Sequence, residues 1–426
     1  MPEPVGFPPL KAFIDSLQAA KPKDYSAKAG SNVAHEDAFA EMKAHILKLY
    51  DKTEAHHSFA DESGAVFDCI PIGQQPSLKG SSEAVPKAPD LPGREVAGGP
   101  QDERKDSLIV SPLGPDKKDR HGNVMQCPPG TIPMRRVTLE DLTRFATLKD
   151  FFRKGPRGAG RPPRASEPPT VPATHRWAHA YQNVNNGGGH SFLNIWDPPI
   201  GANQVFSLSQ HWYVGGSGAN LQTLECGWQV YPAMYGDAKP HFFTYWTADD
   251  YNATGCYNLT CSAFVQIGSS FAPGMAVGPT SVSGGAQYIM ELAYWHANGR
   301  WWLYWNGTAG SNCIGYYPDT LYKGGALASH ATEIDYGGEV VGTTSFPHMG
   351  SGAFASAGWQ KAAYQRTIGY WTPLGGAMVN ASLTPSQSWP KCYTAQVNLY
   401  GSPWFEALWF GGPGGSCRAA DRRRTS

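Results

Sequence analysis

No apolar run in this 426-residue chain approaches the roughly 20 residues that a helix needs to cross a bilayer, so no membrane-spanning helix is expected. There is no surplus of charge either. Thirty-five basic residues balance 35 acidic ones, which removes the electrostatic footprint of a nucleic-acid binder. The sequence lacks G-x-S-x-G, a Walker loop, H-E-x-x-H and D-T/S-G, so the usual signatures of serine, phosphate, zinc and aspartic chemistry are absent. It has no paired C-x-x-C, which argues against a structural metal, and no cofactor is expected. No repeat of fixed period stands out, which counts against a propeller.

Tryptophan is missing from the first 175 residues, although the chain has 14. The remaining 251 residues hold every tryptophan but only 12 of the 35 acidic and 11 of the 35 basic residues. Two stretches so different in composition are not expected to share one core. The eight cysteines read better as disulfides than as metal ligands, which implies an oxidising compartment. Sequons at Asn252, Asn258, Asn306 and Asn380 fit a secreted protein, whereas Met1 to Lys21 lacks the apolar core of a signal peptide.

Between Ser31 and His57, Val33, Phe39, Met42, Ile46, Leu49 and Tyr50 recur at helical steps, with Ser31 or Asn32 as the expected cap. Residues 73–123, rich in Pro, Gly, Ser and charge, read as a long loop or a disordered stretch. A second helix is expected from Thr138, with Asp141 completing a capping box and apolar positions continuing to Phe152. Arg153 to Pro172 is a basic linker with six prolines and three glycines, a natural place for cleavage. Beyond it the period changes to two. Segments 204–214, 241–247, 287–296, 300–305 and 404–410 are β-branched and aromatic, separated by turn residues, which predicts an antiparallel β-sandwich or barrel with almost no helix.

Few groups in the strand-rich part carry chemistry. Ser351 sits in a glycine turn without an elbow context, and Cys226 reads as a buried thiol or a disulfide partner before a nucleophile. His175 and His179 have the spacing of helical metal ligands but precede a strand-rich region. Two carboxylates draw attention because acids are so scarce here. On a strand, Leu224, Cys226, Trp228 and Val230 would face the core and Glu225 the opposite side. Glu339 follows two glycines on another apolar strand, where a substrate backbone could approach. A structural, hydrogen-bonded role for either glutamate fits the pattern as well. Aromatic sandwiches with two carboxylates also describe enzymes that cut carbohydrate, or modules that only bind it.

Short blocks occur in a fixed order: Phe67-Asp68-Cys69 with Gln75-Pro76, Gly130-Thr-Ile-Pro-Met-Arg-Arg136, Glu225-Cys-Gly-Trp-Gln-Val-Tyr-Pro232, Tyr245-Trp-Thr247 and Gly255-Cys-Tyr-Asn-Leu-Thr-Cys261. Phe264-Val-Gln266, Trp301-Trp-Leu303, Gly315-Tyr-Tyr-Pro318, Gly337-Gly-Glu-Val340, Met349-Gly-Ser-Gly352 and Gly411-Gly-Pro-Gly414 follow. In these blocks the chain resembles the neprosin family of glutamic peptidases over nearly its whole length. The resemblance implies a mainly β protein, an antiparallel β-sandwich catalytic domain preceded by a small α-containing propeptide. The corresponding divisions are 1–152, a linker at 153–175 and a catalytic domain at 176–426. It further implies a secreted acid endopeptidase that cuts after proline, with catalytic glutamates Glu225 and Glu339 and disulfides Cys256–Cys261 and Cys392–Cys417. Cys69 and Cys127 are candidates to pair with each other. Trp246 and Tyr336, beside the motifs, are expected to bind substrate. Expected partners are proline-containing peptides or proteins, without nucleic acid or membrane, for a monomeric enzyme.

Overall fold

The computed structural model describes residues 5–26, 28, 30–82, 84–94, 101–155 and 175–416. Two antiparallel sheets face each other. One has seven strands in the order Cys256–Tyr257, Pro240–Thr247, Gln222–Val230, Gln204–Gly215, Ala331–Gly342, His175–Asn186 and Thr384–Gln387. The other has ten, with Gly188–Asn194, Tyr288–Ala297, Arg300–Trp305 and Ala363–Tyr370 at its centre. The mainly β sandwich expected from the two-residue period is therefore present.

The alternation decides which face is which. Leu224, Cys226, Trp228 and Val230 point between the sheets and are fully buried. Several polar groups in that interior are paired across it. Trp228 Nε1 donates to the Asn194 carbonyl at 3.0 Å, Thr244 Oγ1 meets the Tyr294 hydroxyl at 2.6 Å, and Gln365 Nε2 donates to Ser209 Oγ at 3.0 Å. Buried donors and acceptors cost free energy unless matched in this way, so these pairs fix how the sheets face each other.

The N-terminal region does not have a core of its own. The region holds a three-stranded sheet of His57–Ala60, Val66–Pro71 and Thr131–Arg135 and a helix, Glu36–Leu49, that packs on the 139–152 segment, whose Phe145 meets Tyr231 edge to face. One cluster of buried side chains runs from Phe39, Met42 and Ile46 through Phe145 and Phe151 to Trp177, Phe206 and Tyr231. The expectation that the two stretches would not share one core is thus corrected. Tryptophan content differs between the regions, but leucine, phenylalanine and methionine supply a matching apolar surface.

Several local expectations shift. The helix placed between Ser31 and His57 is Glu36–Leu49, and its cap is His35, whose ring accepts from the Ala38 amide at 3.1 Å. The helix from Thr138 divides into Leu139–Thr143 and Leu148–Phe152. Thr138 and Asp141 do form a capping box, and Thr147 caps the second piece. Helix Leu10–Ala19, preceded by Pro8 and Pro9, was not anticipated.

Much of 73–123 is docked as a strap along the ten-stranded sheet. Ser107–Leu108 pairs with Tyr288–Ile289, Asp106 forms a two-oxygen pair with Arg366 at 2.7 Å, and the Arg104 guanidinium lies 3.7 Å from the centre of the Tyr400 ring. A charged, proline-rich segment can order when its charges meet fixed partners, which period-based reading does not detect.

Candidate active site

Glu225 and Glu339 lie on the outward face of the seven-stranded sheet. Register puts Glu225 opposite Trp212 and Tyr245, and Glu339 opposite Leu208 and Trp177, so these side chains share that face. Gln210 lies between, paired with Gly227 on one side and Gly337 on the other. The neighbouring strands come too close at these glycines to admit a side chain. A Cβ on Gly337, whose φ is +146°, would come within 2.6 Å of the neighbouring strand's backbone.

Each glutamate has its own set of donors. Glu225 Oε1 accepts from Tyr251 OH at 2.7 Å and Thr223 Oγ1 at 2.8 Å, and Oε2 accepts from Gln210 Nε2 at 2.9 Å. Glu339 Oε1 faces His175 Nδ1 at 2.6 Å. The two groups meet at Lys154. Its ammonium donates to Glu225 Oε2 and lies 2.9 Å from Glu339 Oε2. All three side chains are buried. Because one ammonium touches both, the carboxylates stand within two hydrogen-bond lengths of each other.

Charge dominates this pocket. Burial alone pulls the Lys154 amine down, but Glu225 and Glu339 outweigh it and hold its pKa above the ordinary value. Burial alone pushes the Glu339 carboxyl up, yet the charge of Lys154 and the bond from His175 hold it below the ordinary value. The Lys154 ammonium also lies 5.1 Å from the centre of the Trp212 ring. Nearby, the Tyr245 hydroxyl donates to the Phe152 carbonyl at 3.3 Å, so the chain leading to Lys154 is laid against the same face.

Other expected site residues fall elsewhere. Trp246 pairs with Leu224 in register and so points away from Glu225, toward the Tyr322 ring. Tyr336 is fully buried between the sheets, its hydroxyl donating to the Gly369 carbonyl at 3.2 Å. Neither lines the groove. Adjacency in sequence misleads here because neighbours on a strand face opposite ways. Trp177, Trp212, Tyr245 and Tyr251 are among the aromatics on the glutamate face. The segment that covers the glutamates is Arg153–Lys154, whereas the Gly130–Arg136 block forms a strand of the small sheet.

His175 and His179 do not form a metal site. They pair with Glu339 and with Asp335, the latter at 2.8 Å, and no metal-binding group of three or more ligands occurs among the described residues. Cys226 is a free, buried thiol in the interior, where burial pushes its pKa well up, and Cys313 is free as well. Ser351 Oγ accepts from the Ala353 amide at 3.1 Å, as a turn serine does. Disulfides join Cys69 to Cys127 and Cys256 to Cys261. Cys392 is also disulfide-bonded, while Cys417 lies outside the described residues.

An antiparallel sandwich that gathers two buried glutamates on one sheet face defines a paired-carboxylate site. Residues 203–413 match the Neprosin family model, and the chain belongs to that family. The match encloses Glu225 and Glu339 and leaves Lys154 and His175 outside. Among solved structures, the chain is similar to Scytalido-glutamic peptidase with a peptide-based transition state analogue. The identity is 9%, over 57% of this chain and 100% of that one, with a TM-score of 0.33. It is also similar to SCP-B, a member of the Eqolisin family of peptidases, in a complex with the tripeptide Ala-Ile-His. There the identity is 7%, over 57% and 100% of the two chains, with a TM-score of 0.31.

Proposed function

We propose that this protein is a secreted acid endopeptidase of the glutamic type, made as a zymogen, that cuts on the carboxyl side of proline. Supporting the peptidase reading are Neprosin membership and a pair of buried glutamates held by one ammonium between them. Two carboxylates at this separation cannot both ionise cheaply without a cation. In an open cleft at acidic pH, one takes a proton from water and the other protonates the scissile carbonyl, without a covalent acyl-enzyme. The aromatic face of Trp212 and Tyr245 offers flat apolar surface to a proline ring.

The single observation that carries the zymogen reading is Lys154 between the two glutamates. Its ammonium occupies the position of the shared proton and of the attacking water, so this conformation is inactive. The sign of the pH response follows from Glu339. Its pKa is held down in the docked state, so docking gains stability above the carboxyl's free value and loses it as pH falls through the docked-state value. Acid therefore releases Lys154. The linker contains Pro162-Pro163 and Pro168-Pro169, outside the described residues but suited to a post-proline enzyme. Two disulfides fit an oxidising compartment.

The test is cleavage of a set of peptides that differ only at one position by acid-incubated protein. Cutting confined to the bond after proline supports the proposal, and cutting indifferent to proline removes the specificity.

A further inference from the structure

Segment 84–94 reads Ala-Val-Pro-Lys-Ala-Pro-Asp-Leu-Pro-Gly-Arg, an apolar residue followed by proline three times over, at a spacing of three. Its burial has the same period. Ala84, Lys87, Asp90 and Gly93 face solvent, Ala88 and Leu91 are buried, and Val85, Pro86, Pro89 and Pro92 are half-buried. Neither an α-helix nor a β-strand repeats at that interval, whereas a polyproline II strand has about three residues per turn and so three faces. Proline holds φ near the value this form needs. Two faces of the segment are therefore docked, and the third is open.

The surface beneath it is aromatic. Ala88 and Leu91 share one cluster with Trp295, Trp302, Tyr304, Tyr316 and Trp371, on the outer face of the ten-stranded sheet. Their strand neighbours Tyr294, Trp301 and Leu303 belong to the interior. The Tyr304 hydroxyl donates to the Pro89 carbonyl at 2.6 Å, and Trp371 Nε1 donates to the Pro92 carbonyl at 3.3 Å. The Leu91 amide donates to the Thr308 carbonyl, and the Met378 amide to the Gly93 carbonyl, each at 2.8 Å. Gly310 gives the segment room, since a Cβ there would come within 2.5 Å of the Ala88 carbonyl oxygen. The two sheets face each other, so this groove and the paired glutamates lie on opposite outer faces of the sandwich.

Most of these contacts read backbone carbonyls and the shape of an apolar residue next to a proline. Two depend on side chains particular to this segment: Asp90 accepts from the Gly310 amide at 2.7 Å, and the Arg94 guanidinium lies 4.0 Å from the centre of the Phe405 ring. Aromatic surfaces that carry hydrogen-bond donors hold proline-rich segments in this manner, because such a ligand is already extended and loses little entropy on docking. We propose that the outer face of the ten-stranded sheet is a recognition site for proline-rich segments of other proteins. The ligand repeats an apolar residue, a proline and any third residue. Segment 84–94 is the occupant supplied by the chain itself, and it competes with them for the groove.

The test uses full-length protein and needs no catalysis. Ala88→Asp together with Leu91→Asp sets two carboxylates against the aromatic floor and expels segment 84–94. Pro86→Gly, Pro89→Gly and Pro92→Gly together form a milder opened variant, used if circular dichroism shows that the first does not fold. A fluorescein-labelled peptide with the sequence of 84–94 is titrated by anisotropy. It binds the opened variant at least about tenfold tighter than wild type, whose own segment fills the groove at high local concentration. A peptide carrying Val85→Leu, Lys87→Gln and Leu91→Ile keeps the pattern and binds within about fivefold of the first. A peptide of the same composition with its prolines consecutive binds at least about tenfold more weakly. In the opened variant Tyr304→Phe removes one donor and weakens binding about three- to tenfold. Failure of the peptide to bind either opened variant overturns the site, as does equal affinity for wild type. Equal affinity for the permuted peptide reduces the surface to a non-specific apolar one, and loss of binding by the pattern-keeping peptide reduces it to a contact of the chain with itself. Either result overturns the proposal. Anisotropy reports binding whether or not the protein cuts peptides, so failure of the peptidase reading leaves this test intact.

Discussion

The Lys154 ammonium lies 2.9 Å from Glu339 Oε2 while bonded to Glu225 from the other side. A cation between two buried carboxylates neutralises a repulsion that the open site would have to relieve by taking up a proton. The same contact therefore supports the closed state and makes it sensitive to acid.

Replacing Lys154 with methionine keeps the length of the side chain and removes its charge. Removing one partner from a buried ion pair costs about 3–5 kcal/mol. Glu225 and Glu339 then meet uncompensated, and docking of the Arg153–Lys154 segment weakens. Time courses of processing at a series of pH values check this, and the threshold for Lys154→Met moves toward neutral. An unchanged threshold assigns latency to other contacts.

Tyr251→Phe deletes one donor to Glu225 and nothing larger. A hydrogen bond to a charged group is worth about 1.5–3 kcal/mol, so kcat/KM falls roughly tenfold or more. Tyr336→Phe removes a hydroxyl that bonds to the Gly369 carbonyl and to Tyr213 in the interior, away from the glutamates. It lowers thermal stability and leaves KM for peptides unchanged. Thermal melts and steady-state kinetics on the two proteins separate these effects.

Glycan occupancy follows from burial. Asn258 is 6% exposed and its side-chain oxygen accepts from the Thr244 amide, while Asn306 is bonded to Ile109 and Glu291. Asn252 is exposed on a turn. Protein made in a glycosylating secretory host carries glycan at Asn252 and none at Asn258 or Asn306, as read by peptide mass spectrometry.

The sandwich was legible because alternation is a local signal: strands 204–214, 241–247 and 300–305 appear as Gln204–Gly215, Pro240–Thr247 and Arg300–Trp305. Glu225 and Glu339 stood out because acids are rare among those strands. Thr223 was findable too, two residues before Glu225 and so on the same face. Lys154 was not. It is one cation in a basic linker, and only the tertiary path of Phe152 to Gly155 across the sheet gives it a role. His175 carried a misleading signal, since its four-residue spacing to His179 suggests a helix face but equally puts both on one side of a strand. Tyr336 and Trp246 failed for the same reason, because a side chain beside a motif on a strand faces away from it.

The most direct test is a time course of purified full-length protein at about pH 3–4, below ordinary carboxyl pKa values, followed by N-terminal sequencing. Wild type yields a product beginning between Gly155 and Trp177, and that product cleaves proline peptides. Glu225→Gln and Glu339→Gln proteins, with unchanged circular dichroism, remain full length and inactive. If either variant is processed as fast as wild type, or cleaves peptides at the wild-type rate, the paired glutamates are not the catalytic groups.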